Sequence, residues 1–161
     1  EELCRVRGVG RNAATLIHLV PKVYSRVKRS AAENETVLNT TRKSGRYLME
    51  RLAGETTEKL YQLCLDRKGK LLTCRQLSEG SVGAAPVNLR KIVENALLSR
   101  ASGVILGHNH PSGVALPSQE DVAATIQARN ALEAVEIPLL DHIIVADEDF
   151  VSMAESGYLS L

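Results

Sequence analysis

Cysteine is scarce in this 161-residue chain, with Cys4, Cys64 and Cys74 the only three. An odd set without CxxC spacing excludes the disulfide framework of a small secreted domain and also a cysteine-built zinc site. All three read as reduced thiols packed among other side chains. Long apolar runs are missing too. The longest covers only a few residues, against the roughly 20 a membrane-spanning helix needs. No basic, apolar and small-residue succession opens the chain as a signal peptide would. A cytoplasmic protein is therefore expected. There is no low-complexity segment, and 44% hydrophobic with 24% charged residues is the composition of a folded domain. The length suits one well-buried domain plus a small appendage. Because the chain opens on Glu1 and Glu2 without an initiator Met, it is expected to be a fragment of something longer.

The net charge of +1 hides an asymmetry. Residues 1–30 hold seven Lys or Arg against two Glu, a surplus of five, and the remaining 13 basic and 17 acidic residues leave a deficit of four. Attraction to nucleic acid would come from the N-terminal piece, although a solvated helical surface explains the same charges. Its sequence Arg7-Gly8-Val9-Gly10-Arg11 sets two glycines around one apolar residue, followed by Ala14, Ile17 and His18 at helical spacing. Such a turn can aim backbone N–H groups and Arg11 at a phosphate. It resembles the second half of a helix-hairpin-helix element, which implies non-specific DNA contact through residues 1–30.

Residues 31–43 are polar without sustained periodicity and read as a linker, after which Ser44 is expected to cap a short helix to about Leu52. The domain boundaries expected are 1–30, a linker and short helix over 31–56, and a main domain over 57–161. Leu60 to Leu65 reads as a buried strand, Asp66-Arg67-Lys68-Gly69 as a hairpin turn and Lys70 to Leu77 as the returning strand. A helix follows from about Leu89 to Ser99, with Ile92, Val93, Ala96 and Leu97 facing a sheet. Gly103 to Gly107 is a short apolar strand suited to the sheet centre. A loop with Pro111, Gly113 and Pro117 leads to a helix from Ser118 to about Glu133, then strands at His142 to Ala146 and Phe150 to Ser152. The fold class is α/β, with a mixed sheet between helices.

The chemistry concentrates just after the central strand. Side chains two apart in an extended chain point the same way, so His108 and His110 can reach one ion. The backbone turns through Pro111-Ser112-Gly113 and reaches Ser118-Gln119-Glu120-Asp121, where positions three apart lie on neighbouring faces of a first helical turn. Ser118 and Asp121 also fit a helix capping motif, and capping does not exclude ligation. Two imidazoles and one carboxylate are good zinc ligands, and three protein ligands with a vacant fourth position are the catalytic arrangement. An ion so held can bring the pKa of water from about 15.7 towards roughly 7.

His108-x-His110-Pro111-Ser112-Gly113 followed by Ser118-x-x-Asp121 resembles the JAMM motif of MPN-type, or JAB, zinc metallopeptidases. The chain is more narrowly similar to the bacterial RadC family, through Leu65-Asp66, Glu79-Gly80-Ser81-Val82, Asp141-His142-Ile143-Ile144-Val145 and the N-terminal glycine hairpin. The resemblance implies a JAB1/MPN-like (cytidine-deaminase-like) domain after a partial helix-hairpin-helix region, with one zinc ion on His108, His110 and Asp121. It implies hydrolysis of peptide or isopeptide bonds in a peptide or protein substrate. It further implies a glutamate before the first strand as general acid and base, for which Glu58 matches best, with Glu79 and Glu55 as alternatives. Ser118 would stabilise the developing oxyanion. Asp141 and His142 are expected in a structural role or behind a ligand, with the imidazole bonded to backbone or carboxylate.

A zinc nucleobase deaminase is excluded, because it needs HxE followed by PCxxC, whereas here the third residue is His110 and no cysteine follows Cys74. A closed structural zinc site would need a fourth ligand, which the neighbourhood does not supply. The alternative reading is a DNA-associated scaffold, in a repair or recombination context, that keeps zinc without turnover.

Overall fold

In the computed structural model, residues 2–80 and 87–159 are described. Ser81 and Val82 of the sequence reading lie outside them. The chain divides into two compact units, Glu1–Glu35 and Thr36–Leu161.

In the first unit a 3-10 turn over Glu2–Arg5 precedes Gly8, whose φ of 90° suits a residue without a Cβ. Helix α1 then spans Arg11–Glu35. It continues five residues into the stretch that composition reads as linker, because Ala31, Ala32, Glu33 and Glu35 are good helix formers even without an apolar stripe. Of its predicted face, Ala14 is buried whereas Ile17 and His18 are exposed.

In the second unit the chain after Glu35 is no free connector. Leu38 N–H donates to the Gly69 carbonyl at 2.7 Å and Leu71 N–H to that of Thr36 at 2.8 Å, so this stretch is stitched to a hairpin turn. Helix α2 spans Thr41–Leu52. Its cap is Thr40, whose side chain accepts from Lys43 N–H, and not Ser44, which is buried inside the helix with its hydroxyl turned to the Thr40 carbonyl. Strands β1 (Lys59–Leu65) and β2 (Leu71–Glu79) form the predicted hairpin. Helix α3 (Leu89–Leu98), strand β3 (Gly103–Asn109), helix α4 (Gln119–Glu133) and strands β4 (Leu139–Ala146) and β5 (Asp149–Ser152) complete the unit.

The sheet order is β2-β1-β3-β4-β5, with β3 and β4 parallel and every other pair antiparallel, which is the mixed sheet expected. Strand alternation divides the core. Leu63, Leu65, Ile105, Ile143 and Val145 face Leu48 and Leu52 of α2, while Leu60, Cys64, Val104 and Leu106 face Ile92 and Ala96 of α3 and Ala128 and Leu132 of α4. Each fully buried aliphatic side chain contributes about 1.5–3 kcal/mol, enough in number to hold this architecture without a ligand. On α3 the buried residue beside Ile92 and Ala96 is Asn95, whereas Leu97 is exposed, because the Asn95 amide donates to buried Gln62 Oε1 at 3.1 Å. Among the described residues no helix is long and apolar enough to cross a membrane.

Candidate metal centre

His108 belongs to β3 itself and His110 follows its last residue, so both turn toward the α4 side. Ser118 caps α4, its hydroxyl accepting from Asp121 N–H at 3.1 Å, while the Asp121 carboxylate accepts from Ser118 N–H at 2.8 Å and from Ser118 Oγ at 2.7 Å. This reciprocal cap fixes the direction of the carboxylate. His108, His110 and Asp121 thereby offer three ligand atoms within 4.8 Å of one another. His108 Nε2 lies 2.8 Å from His110 Nε2 and 3.2 Å from Asp121 Oδ1, and Asp121 Oδ2 is 3.3 Å from His110 Nε2.

The donor set fits a divalent cation. His110 Nδ1 lies 2.9 Å from the Val114 carbonyl oxygen, which can only accept, so Nδ1 carries the hydrogen and Nε2 turns a lone pair to the cluster. A lone pair facing an ionised carboxylate inside a protein is costly until a cation joins them. Burial works to raise the Asp121 carboxyl, but the neighbouring His108 imidazole and the hydrogen bonds from Ser118 outweigh it and hold the group well below the usual carboxylate range. Asp121 therefore stands ionised, as a ligand must.

His108 and Asp121 are buried, whereas His110 is partly buried and Ser118 is exposed, so the cluster has one wet side. A cleft of about 340 Å³, lined by Met49, Leu52, Glu55, Asn109, His110 and Asp147 among others, touches His110 but neither His108 nor Asp121. A larger hollow of about 590 Å³, lined by Asn39, Thr40, Arg67, Lys68, Ser102 and Asp141 among others, sits at the other end of the strands and touches none of the three residues.

Glu58 directly precedes β1, where Leu60 pairs with His108. Carrying that register two residues further sets Glu58 across from His110, on the sheet face that bears His108. The Glu58 backbone carbonyl accepts from Gly80 N–H at 2.8 Å, and its side chain is partly buried. The two alternatives have other partners. Glu55 pairs with Lys59 Nζ at 2.5 Å, and Glu79 accepts from Thr57 Oγ1 at 3.2 Å and Gln76 Nε2 at 3.3 Å.

Three further residues also serve the site: Asn109 and Thr125, which carry no signal of their own in the sequence, and His142, expected in a structural role or behind a ligand. Asn109 points to the opposite sheet face, where its Oδ1 accepts from Lys59 N–H at 2.8 Å and its Nδ2 donates to the Thr57 carbonyl at 3.0 Å. It thereby pins the backbone on both sides of Glu58. His142 Nε2 lies 2.9 Å from His108 Nδ1 and His142 Nδ1 lies 2.6 Å from Thr125 Oγ1. The expected backbone or carboxylate partner of His142 is thus replaced by an imidazole and a hydroxyl. Burial, aided by His108, pushes the His142 pKa down to about 3 and keeps the ring neutral. Asp141 points the other way, accepting from Ser152 Oγ at 2.7 Å and Ala154 N–H at 3.1 Å, which is structural.

Comparison with known proteins agrees with this geometry. Residues 38–158 match the family model of the RadC-like JAB domain. A UPF0758 protein of Stenotrophomonas maltophilia strain K279a is 39% identical over 160 residues, 99% of this chain and 68% of the relative. One from Vibrio cholerae serotype O1 strain M66-2 is 37% identical over 159 residues, and one from Shewanella denitrificans 34% over 160, each alignment covering 99% of this chain and 71% of the relative. With a domain model matched over residues 38–158 and relatives 34–39% identical over 99% of its length, the chain belongs to the RadC family.

Proposed function

We propose that this protein is a zinc-dependent hydrolase of peptide or isopeptide bonds, with one zinc ion held by His108, His110 and Asp121. The observation that carries the reading is the convergence of two imidazole nitrogens and an ionised carboxylate on one point with a single wet side. Nitrogen and carboxylate donors in this number suit zinc, and the free side is the vacancy of a catalytic site. Zinc bound there supplies Lewis acidity, making water acidic near neutral pH and polarising a carbonyl. The remaining work falls to side chains. Glu58 takes the proton from the attacking water and returns it to the departing amine, a role supported by its register beside His110 and by the clamp of Asn109 on its backbone. Ser118, exposed at the first turn of α4, donates to the oxygen that gains charge.

Elemental analysis and a hydrolysis assay on isopeptide-linked and linear peptides test the reading together. Wild type is expected to carry zinc one to one, and His108→Ala to carry none while staying folded. Full occupancy in His108→Ala would remove the ligand assignment. Glu58→Gln is expected to keep zinc and lose turnover, and unchanged turnover would shift the general base to Glu79.

The basic N-terminal unit supports a second reading, in which the zinc domain is a DNA-associated scaffold. Residues 1–30 carry seven of the 20 basic residues and form most of a compact unit of their own. That surplus suits sequence-independent contact with phosphates.

A further inference from the structure

We propose that Thr125 and His142 are positioning residues that fix the tautomer of His108, through a one-way chain of hydrogen bonds starting at the backbone carbonyl of Asp121. The inference rests on the metal-site reading for its purpose, but its geometry stands by itself. Thr125 Oγ1 lies 2.5 Å from the Asp121 carbonyl oxygen and 2.6 Å from His142 Nδ1. The carbonyl can only accept, so at this separation the hydroxyl hydrogen lies between the two oxygens. Thr125 Oγ1 must then accept from His142 Nδ1–H. That leaves His142 Nε2 with a lone pair, which accepts from His108 Nδ1–H across 2.9 Å. The chain ends with a bare Nε2 on His108, aimed at His110 and Asp121.

The opposite direction would put a hydrogen between His108 Nε2 and His110 Nε2, 2.8 Å apart, but it leaves none between two oxygens at the shorter distance of 2.5 Å. It also delivers the hydrogen to His108 Nε2, the atom a metal would need. Thr125, His142 and His108 are all buried, at 1%, 1% and 0% exposure, so bulk water does not compete for these bonds. One helical turn thus does two things: Asp121 offers its carboxylate as a ligand, and its backbone oxygen orients the hydrogen on another ligand. Hydrogen bonds of this kind to a ligating imidazole set its orientation and basicity.

The full chain, with Thr125→Val and Thr125→Ser, tests this in two measurements. In metal-free wild type, nitrogen-15 NMR of the imidazoles is expected to find the hydrogen of His108 on Nδ1 and that of His142 on Nδ1. Zinc affinity, read by competition with a chromophoric chelator, is expected to fall about 10- to 100-fold in Thr125→Val and to be restored in Thr125→Ser. A hydrogen on His108 Nε2 in wild type, or equal affinity in wild type and Thr125→Val, overturns the inference. The wild-type spectrum decides alone if Thr125→Val does not fold. A wild type that binds no zinc but shows the expected tautomers defeats the zinc reading and leaves the chain of bonds intact. Zinc binding with the opposite tautomer does the reverse.

Discussion

Gly107 stands next to the first histidine because no larger residue fits there. A Cβ at this position would come within 2.8 Å of Leu48 Cδ2, and Leu48 is completely buried among the side chains between α2 and the sheet. The added methyl must displace Leu48 or push β3 away from α2. Gly107→Ala is therefore expected to lower stability by about 1–3 kcal/mol, the usual cost of overfilling a packed core. Denaturant unfolding checks this, and a midpoint equal to wild type would show that α2 yields freely. At this scale the ligands are legible in the sequence, since His108 and His110 obey the two-residue period of a strand and Ser118 and Asp121 the spacing of a helical turn. Thr125 and Asn109 are not, and for His142 the sequence offers a place behind a ligand but not the partners. Their partners are fixed by the parallel register of β3 on β4, by the seating of α4 and by the pairing of β3 with β1, contacts 17 to 52 residues apart that leave no local pattern.

Among elements, hydroxyl-rich and polar stretches are where sequence and structure diverge. Thr40, Thr41 and Ser44 all compete as caps of α2, and the winner is decided by Ser44 being drawn into the core. The turn between β1 and β2 is clearer, because Asp66 leads a four-residue Asp-Arg-Lys-Gly hairpin. Its Oδ1 accepts from Lys70 N–H at 2.9 Å and Lys68 N–H at 2.8 Å. These bonds, the one from Lys70 foremost, hold the Asp66 carboxyl below its usual value. A carboxyl depressed in the folded state stabilises fully above its unfolded pKa and loses that contribution as pH falls through the folded value. Asp66→Asn keeps an accepting oxygen but not the charge. Wild type is thus expected to exceed Asp66→Asn in stability by a constant margin above about pH 4, shrinking below it. Denaturant midpoints of both proteins across that range provide the check. A gap that widened on acidification would contradict the sign.

For the whole molecule, the division into Glu1–Glu35 and Thr36–Leu161 sets most of the basic surplus apart from the core and the candidate metal centre. Every residue of the two apolar clusters and of the candidate metal centre lies between Leu38 and Leu159. The surplus of positive charge lies before residue 31. A chain of residues 36–161 is accordingly expected to unfold in one cooperative transition and to bind zinc as tightly as the full chain, since no ligand or core side chain of that unit is removed. Duplex DNA should distinguish the two proteins. If the N-terminal unit contacts phosphates, the full chain retains DNA at low salt and loses it as salt rises, with a slope near 0.9 per phosphate neutralised. The shortened chain, left with 13 basic residues against 15 acidic ones, should retain none. Equal binding by both chains would move the DNA contact onto the zinc domain, and no binding by either would leave the scaffold reading without support. Weakened zinc binding in the shortened chain would mean that residues 1–35 help to build the metal centre, against the separation drawn here.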